Sequence, residues 1–268
     1  MIRALRIAHL SDIHFGRIAH PGIVEDIIED VNNAGVDLIA ISGDLTQRAI
    51  PRQFQACMEM LNEFTSPLLV VPGNHDVFPW WRPISRLSKP LSMFKKYLGS
   101  DMIRSFEMDG VAILGVNSAH GKTIKGGRLE PEVSEAIKTY FSKKKEGVFK
   151  ILMLHHHLKQ IKALMPHDIV QDADRHLKEI MQHGINLILC GHVHISHVES
   201  LDSQRDAPFV IASAGTATSS RGRRSNRRKN YYNIIDIFDT HFTIEERNYN
   251  SSERLFNPKR TTQFDRSK

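Results

Sequence analysis

Five short apolar runs in this chain are each followed, directly or after one residue, by a block drawn from aspartate, asparagine, histidine and glycine. Asp12-Ile13-His14 follows the run 5–10, Gly43-Asp44 follows 36–42, and Gly73-Asn74-His75-Asp76 follows 68–71. His155-His156-His157 follows 149–154, and Gly191-His192-Val193-His194 follows 186–190. Apolar runs of this length, bounded by turn residues, read as buried strands. In an α/β sheet the loops after such strands gather along one edge, so polar side chains from five distant stretches of chain meet there.

The intervals between the runs supply the rest of the architecture. Ile23, Val24, Ile27, Ile28 and Val31 recur at helical spacing, and Pro51 opens a helix carrying Phe54, Cys57, Met58, Leu61 and Phe64 inward. Residues 77–100 break the alternation with Pro79, Trp80, Trp81, Pro83 and Pro90 before a helix at 91–98, which reads as a lid-like insertion beside the converging loops. Asp109-Gly110 closes a predicted hairpin between 104–107 and 111–117. Helices follow from Pro131 to about Lys144 and over 172–183, and from His197 the pattern turns to strand, at 198–201, 208–213, 231–238 and 242–248. The expected fold is α/β, a four-layer α/β/β/α sandwich of two mixed sheets with flanking helices. A single domain is expected over 1–250, followed by a polar, frayed tail at 251–268. There is no internal repeat.

Composition narrows the class. A hydrophobic fraction of 41% and a charged fraction of 25% are ordinary for a globular protein, and no apolar stretch reaches membrane-spanning length. The N-terminus runs into the first strand without a charged-then-apolar leader, so export is not expected. The only cysteines are Cys57 and Cys190, which imply no disulfide framework and point to a reducing cytoplasm. Formal net charge is +6, and the stretch from Arg221 to Lys229 alone carries six cations. Such a run is either a solvated loop or a grip for nucleic acid, an anionic lipid surface or a polyanionic substrate.

The clustered residue types point to metal chemistry. Imidazole mixed with carboxylate suits Mn, Fe, Zn or Co, whereas oxygen alone would suit Mg or Ca. Asp12 and His14, two residues apart at a strand end, face the same way on a pleated backbone, and His192 and His194 repeat that spacing. Seven ligands exceed the needs of one ion. Two ions roughly 3.5–4 Å apart would use them all, with Asp44 as the bridging carboxylate, in a clamp suited to in-line displacement at phosphorus. Taken singly, each residue also has a structural reading: Asp12 as a cap, Asn74 as a turn residue, a strand-end histidine as a satisfied core group.

The ordered blocks Asp-x-His, Gly-Asp, Gly-Asn-His-Asp, His and Gly-His-x-His resemble the calcineurin-like metallophosphoesterase superfamily, and within it the class III cyclic-nucleotide phosphodiesterase group of bacterial members. The resemblance covers residues 5 to about 194, with the β-rich remainder expected to form the second sheet. It implies that Asp12, His14 and His194 hold one metal, that Asn74, His155 and His192 hold the other, and that Asp44 is shared. His156 is the alternative to His155, and His157-Leu158-Lys159 stands where relatives often have prolines. His75 is expected to stay off the metals and serve the leaving-group oxygen, oriented from behind by Asp76, while a metal-bridging hydroxide attacks phosphorus.

Two further residues are expected at the substrate. Arg221 would neutralise a substrate phosphate, and Trp80, paired with Trp81, would stack on a base or sugar, cover an acyl chain, or simply pack in the core. Hydrolysis of a phosphodiester such as a cyclic nucleotide is the first expectation. A pyrophosphatase acting on UDP-2,3-diacylglucosamine in lipid A synthesis is the alternative, and would give the basic loop and the aromatic insertion a membrane-facing purpose. A nucleic-acid partner is not expected, since nucleases of this superfamily add a capping domain for which 268 residues leave little room. A non-catalytic scaffold of the same fold is the reading from another class, and the presence of Asn74 and His75 weighs against it. Nothing in the sequence speaks to oligomeric state.

Overall fold

In the computed structural model, which describes residues 3–162, 164, 166–201, 208–222 and 229–266, strand β1 (Arg3–Leu10) crosses through helix α1 (Ile23–Asn33) to the parallel strand β2 (Leu38–Ile41). Helix α2 (Pro51–Asn62), with proline at its first position, leads in the same way to β3 (Leu68–Val70). These are the βαβ units that the periodicity predicts. The insertion then forms two short helices, α3 (Pro83–Ser88) and α4 (Ser92–Leu98). Helix α4 is anchored by the buried Phe94 and by Tyr97, whose ring stacks on Phe54 of α2 at 5.4 Å.

Strands β4 (Ile103–Met108) and β5 (Val111–Val116) form the predicted hairpin. Asp109 and Gly110 both have positive φ, 45° and 79°, as a two-residue turn matched to strand twist requires. Helix α5 (Pro131–Ser142), β6 (Phe149–Met153), α6 (Ala173–Gln182) and β7 (Leu187–Cys190) continue the alternation. Strands β8 (His197–Leu201), β9 (Phe209–Ser213), β10 (Tyr231–Phe238), β11 (His241–Asn250) and β12 (Leu255–Asp265) complete the chain.

The strands form two six-stranded mixed sheets, ordered β12-β11-β10-β1-β2-β3 and β4-β5-β6-β7-β9-β8. Between them lies an apolar layer in which Leu5, Ile7, Leu38 and Ala40 of the first sheet meet Ile113, Ile151, Leu187 and Val210 of the second. Alternate residues face the other way, so Ala8, Leu10, Ile39 and Ile41 pack beneath α1 and α2, while Leu114, Leu152 and Ile188 pack beneath α5 and α6. The result is the expected four-layer α/β/β/α sandwich.

Two expectations are corrected. The β-rich remainder is divided between the sheets, with only β8 and β9 joining the second. Strands β10, β11 and β12 join the first, with β10 antiparallel to β1 in register Ile7↔Ile235, and the second sheet is built mostly from residues before His194. Residues beyond 250 are not a frayed tail either: β12 pairs with β11 over its length, and Phe256 is buried. Its polar composition reflects an edge strand with one solvated face, a pattern that composition alone does not separate from a tail. Arg254, in the turn before β12, binds Asp26 of α1 at 2.7 Å and fastens that hairpin to the body.

Candidate dinuclear metal centre

The loops after β1, β2, β3, β6 and β7 open onto the same edge of the sandwich and bring all seven expected ligands together. Asp12, His14, Asp44 and His194 form one cluster, and His155, His156 and His192 a second, with ligand atoms in each within 4.8 Å of one another. The His194 Nε2 lies 3.0 Å from Asp12 Oδ1 and 3.2 Å from His14 Nε2. In the second cluster the Asn74 Oδ1 lies 3.2 Å from His155 Nε2 and 3.0 Å from His192 Nδ1. Asp44 Oδ2 stands between the groups, 3.5 Å from His14 Nε2 and 3.4 Å from His155 Nε2.

Backbone conformation, rather than strand pleating, aims these side chains. Asp12, His14, Asp44, His192 and His194 all have φ between 51° and 68°, the left-handed region that non-glycine residues seldom occupy. Each such residue costs on the order of 1 kcal/mol or more, and strain gathered on five ligands is held by the surrounding contacts. Thr216 and Thr218 donate to the carbonyls of Asp12 and Ile13, each at 2.7 Å, and pin the first of these loops. A Cβ on Gly73 would lie 2.1 Å from Asp44 Oδ1, and one on Gly191 would lie 1.7 Å from Ser11 Oγ, so both glycines make room for the carboxylates.

Second contacts set each ligand's orientation. His155 donates its Nδ1–H to the Ser42 carbonyl at 2.7 Å, and His194 donates its own to the Arg221 carbonyl at 2.8 Å, leaving both Nε2 lone pairs directed inward. Asp12 Oδ2 accepts from Ser11 Oγ and the His192 amide, and Asp44 Oδ1 accepts from the His75 amide. The opposite oxygens, Asp12 Oδ1 and Asp44 Oδ2, are buried with no hydrogen-bond donor among the described residues. Buried carboxylate oxygens facing imidazole lone pairs are what a pair of cations would satisfy, so the donor set fits two divalent metals.

The charge states of Asp12, Asp44, His14 and His192 agree with that fit, whereas at His155 burial is outweighed by the Asp44 charge and hydrogen bond, which raise it to about 9, a proton standing where a cation would. Burial works against ionisation of Asp12 and Asp44, yet the surrounding histidines hold both carboxyls well below the usual range. Burial lowers His14 to about 4 and pushes His192 well below 6.5, keeping both as neutral, metal-binding imidazoles.

The structure separates the three consecutive histidines. His155 faces Asp44 and Asn74, whereas both ring nitrogens of His156 are committed, Nδ1 to Ser118 Oγ at 2.9 Å and Nε2 to the Lys125 carbonyl at 3.0 Å. His157 turns away to Ser213 and Cys190.

Asp76 departs from its expected role. It accepts from the amides of Gly73, Leu45 and Thr46 and from the Thr46 hydroxyl, and so shapes the loop that carries Asp44 instead of backing His75. Burial and the nearby Asp44 charge push its carboxyl up to about 7. The His75 ring is held by Gln47, whose carbonyl accepts from Nδ1 at 3.0 Å, and by Arg221, whose Nη1 lies 2.9 Å from Nε2. Burial keeps His75 below its ordinary value against the pull of Asp44, and the Arg221 charge adds to that. No local signal marks Gln47 in the sequence, because its shorter contact with His75 runs through its backbone carbonyl, with its side-chain Nε2 farther off at 3.4 Å.

A cavity of about 420 Å³ opens over the centre. Asp44, Asn74, His75 and His192 form its floor, Arg17, Arg48 and Arg221 its cationic wall, and Trp80, Trp81 and Ile124 its rim. Both tryptophans are solvent-exposed, with the Arg48 guanidinium 5.2 Å from the Trp81 ring centre. Of the basic loop, Arg221, Gly222 and Lys229 are described, and residues 223–228 lie outside the described residues.

Residues 5–196 match the model of the calcineurin-like phosphoesterase family. The chain belongs to that family. Among curated proteins, this calcineurin-like phosphoesterase is 28% identical over 197 residues to an uncharacterized metallophosphoesterase of Helicobacter pylori, a match covering 73% of this chain and 46% of the relative. The chain thus spans about half the length of that relative. It is 21% identical over 233 residues to a probable cyclic nucleotide phosphodiesterase of Vesicomyosocius okutanii, covering 85% and 91% of the two chains. Among solved structures, a dimetal phosphatase of Danio rerio superposes with a TM-score of 0.70 at 10% identity, over 99% of this chain and 100% of that one, which establishes the shared fold.

Proposed function

We propose that this protein hydrolyses a small phosphodiester, of the cyclic-nucleotide kind, to a phosphomonoester. The observation that carries the reading is the single Asp44 oxygen shared between two ligand groups, at 3.4 and 3.5 Å, on the floor of a cavity walled by arginines. The name of the Vesicomyosocius okutanii relative supports the substrate class. Two bound divalent cations, with Mn, Fe, Zn and Co all suited to these donors, would neutralise phosphoryl charge and acidify a water to a pKa of about 7.

The chain's own residues supply the rest. Arg221 is placed to leave His75 and donate to a non-bridging phosphate oxygen. That movement frees His75 Nε2. With Nδ1–H fixed on the Gln47 carbonyl, Nε2, once released by Arg221, is the atom that would take up a proton from solvent water and pass it to the departing alkoxide. Arg17 and Arg48 hold the remaining phosphate charge in the cavity. Cys57 and Cys190 are buried free thiols, which supports placing the protein in a reducing compartment such as the cytoplasm.

A second reading, a UDP-2,3-diacylglucosamine pyrophosphatase, draws support from the exposed Trp80-Trp81 pair at the cavity mouth. The deciding experiment loads the protein with Mn and compares a cyclic nucleotide, a 2′,3′-cyclic nucleotide and UDP-diacylglucosamine, with bis-p-nitrophenyl phosphate as a general diester. Turnover of the cyclic substrates is expected, and preference for the acylated sugar nucleotide would favour the second reading. Full turnover of bis-p-nitrophenyl phosphate by Asp44→Ala would sink both.

A further inference from the structure

The rim of the cavity concentrates what the rest of the surface avoids. Ile84 (82% exposed), Trp80 (69%), Ile124 (67%), Leu87 (65%) and Trp81 (49%) are five of the six most exposed large apolar side chains among the described residues. Trp80, Trp81 and Ile124 line the cavity mouth, and Ile84 and Leu87 stand three residues apart on α3, directly after the tryptophans. The rim is built to stay in place. Arg86, buried beneath α3, donates to the carbonyls of Phe78 and Thr123, which ties the insertion to the loop carrying Ile124. A Cβ on Gly121 would lie 2.1 Å from the Arg86 carbonyl, so the two segments are in close contact.

Charge on the same two segments has one sign. Residues 77–100 carry Arg82, Lys89, Lys95 and Lys96 besides the buried Arg86, with no Asp or Glu, and residues 120–128 add Lys122 and Lys125, while Arg128 pairs with Glu130 just beyond at 3.0 Å. We propose that this rim is a docking surface for an anionic lipid interface, with the aliphatic and indole tips entering among the acyl chains and the surrounding cations meeting the headgroups. Indole rings at headgroup depth beside lysines and arginines are the side-chain set that settles at such a boundary. A second copy of the chain fits less well, because a two-fold contact would set cations against cations, with the neighbouring Glu130 already engaged by His120 and Arg128. Nucleic acid accounts for the tryptophans and cations but not for Ile84, Leu87 and Ile124, which offer no face for stacking.

The proposal does not depend on the hydrolytic reading, and its readout is separate from turnover. Trp80 and Trp81 are the only tryptophans in the chain, so intrinsic fluorescence reports on the rim alone. The full chain is mixed with vesicles of pure phosphatidylcholine, or of phosphatidylcholine and phosphatidylglycerol in equal parts, and followed by emission and co-sedimentation. A blue shift and co-sedimentation with the anionic vesicles only are expected, weakened by salt. The double variant Ile84→Asp with Leu87→Asp should partition at least about tenfold more weakly, with unchanged far-UV dichroism and unchanged hydrolysis of a soluble diester. Absence of binding to anionic vesicles, or equal binding by the variant, overturns the proposal. So does a wild-type dimer that the variant dissociates, or a blue shift obtained with single-stranded DNA and not with vesicles. Loss of hydrolysis with vesicle binding intact would count against the metal centre's reading and leave the docking surface standing.

Discussion

The floor of the cavity and its rim are built on opposite principles. On the floor, most ligand side chains are buried, five of them are aimed by a left-handed backbone, and several are braced by a second contact, as His155 is by the Ser42 carbonyl. At the rim, large side chains stand in solvent on two short segments clamped together by Arg86. The floor specifies atoms, because cations and phosphorus require donors at fixed places. The rim specifies only a mixture of apolar area and positive charge, and so selects a class of neighbour.

If that contrast is right, the largest loss comes from the one atom shared by both ligand groups. Asp44→Ala is expected to lower kcat for a soluble diester by at least about a thousandfold, since several kcal/mol of charge stabilisation depend on the bridge. Elemental analysis should show fewer than two metals per chain. Retention of both metals and full activity would mean that Asp44 is not the bridge. Gly73→Ala tests the same floor through space alone. Its Cβ would displace Asp44 Oδ1, and metal affinity is expected to fall by about a hundredfold, as it does when a ligand loses its support. Titration of metal-free protein with Mn would measure this, and unchanged affinity would show that the carboxylate has slack.

Arg221 belongs to neither extreme, because its backbone carbonyl braces His194 while its guanidinium reaches His75. Replacing the side chain leaves the carbonyl in place, so Arg221→Ala should keep both metals yet lose roughly ten- to a hundredfold in kcat/KM. Arg221→Lys should restore only part of it, since a single ammonium cannot present a planar pair of donors. Metal loss in Arg221→Ala would move this residue to the floor. An unchanged kcat/KM would remove it from the substrate's path.

How far each region could be read from sequence follows the same division. The floor was legible because chemistry demands particular residue types in order, and Asp12, His14, Asp44, Asn74, His192 and His194 needed no knowledge of packing. The choice of His155 over His156 did need it, since both follow the same strand and only three-dimensional contacts show that Ser118 and Lys125 occupy the second ring. Asp76 was misread for a related reason: adjacency in sequence to His75 does not give adjacency of side chains, and its carboxylate turns toward the amides of the neighbouring loop. In the fold, βαβ periodicity carried the first half. Strand β12 was missed because a two-sided apolar signal is absent where only Phe256 of an edge strand is well buried.

That edge strand provides the smallest expected effect and a limit on the contrast, being remote from both floor and rim in its role. Asp26 accepts from Arg254 and, through the Tyr249 hydroxyl, from β11 as well. Burial works to raise its carboxyl, but these two partners outweigh burial, and the net pKa lies below the ordinary 3.8. A carboxyl depressed in the folded state binds its proton less readily there than in the unfolded chain. Its stabilisation is therefore complete above about pH 4 and is lost as pH falls through the folded value. Arg254→Ala should lower Tm by no more than about 3 °C at neutral pH, given the exposure of the pair. The gap between wild type and variant should stay constant down to about pH 4 and close below it. Scanning calorimetry across that range would show it, with activity on a soluble diester unchanged. A variant that lost metal or activity would mean that the C-terminal hairpin holds the floor in shape through α1, and that the site extends further into the sandwich than its ligands do.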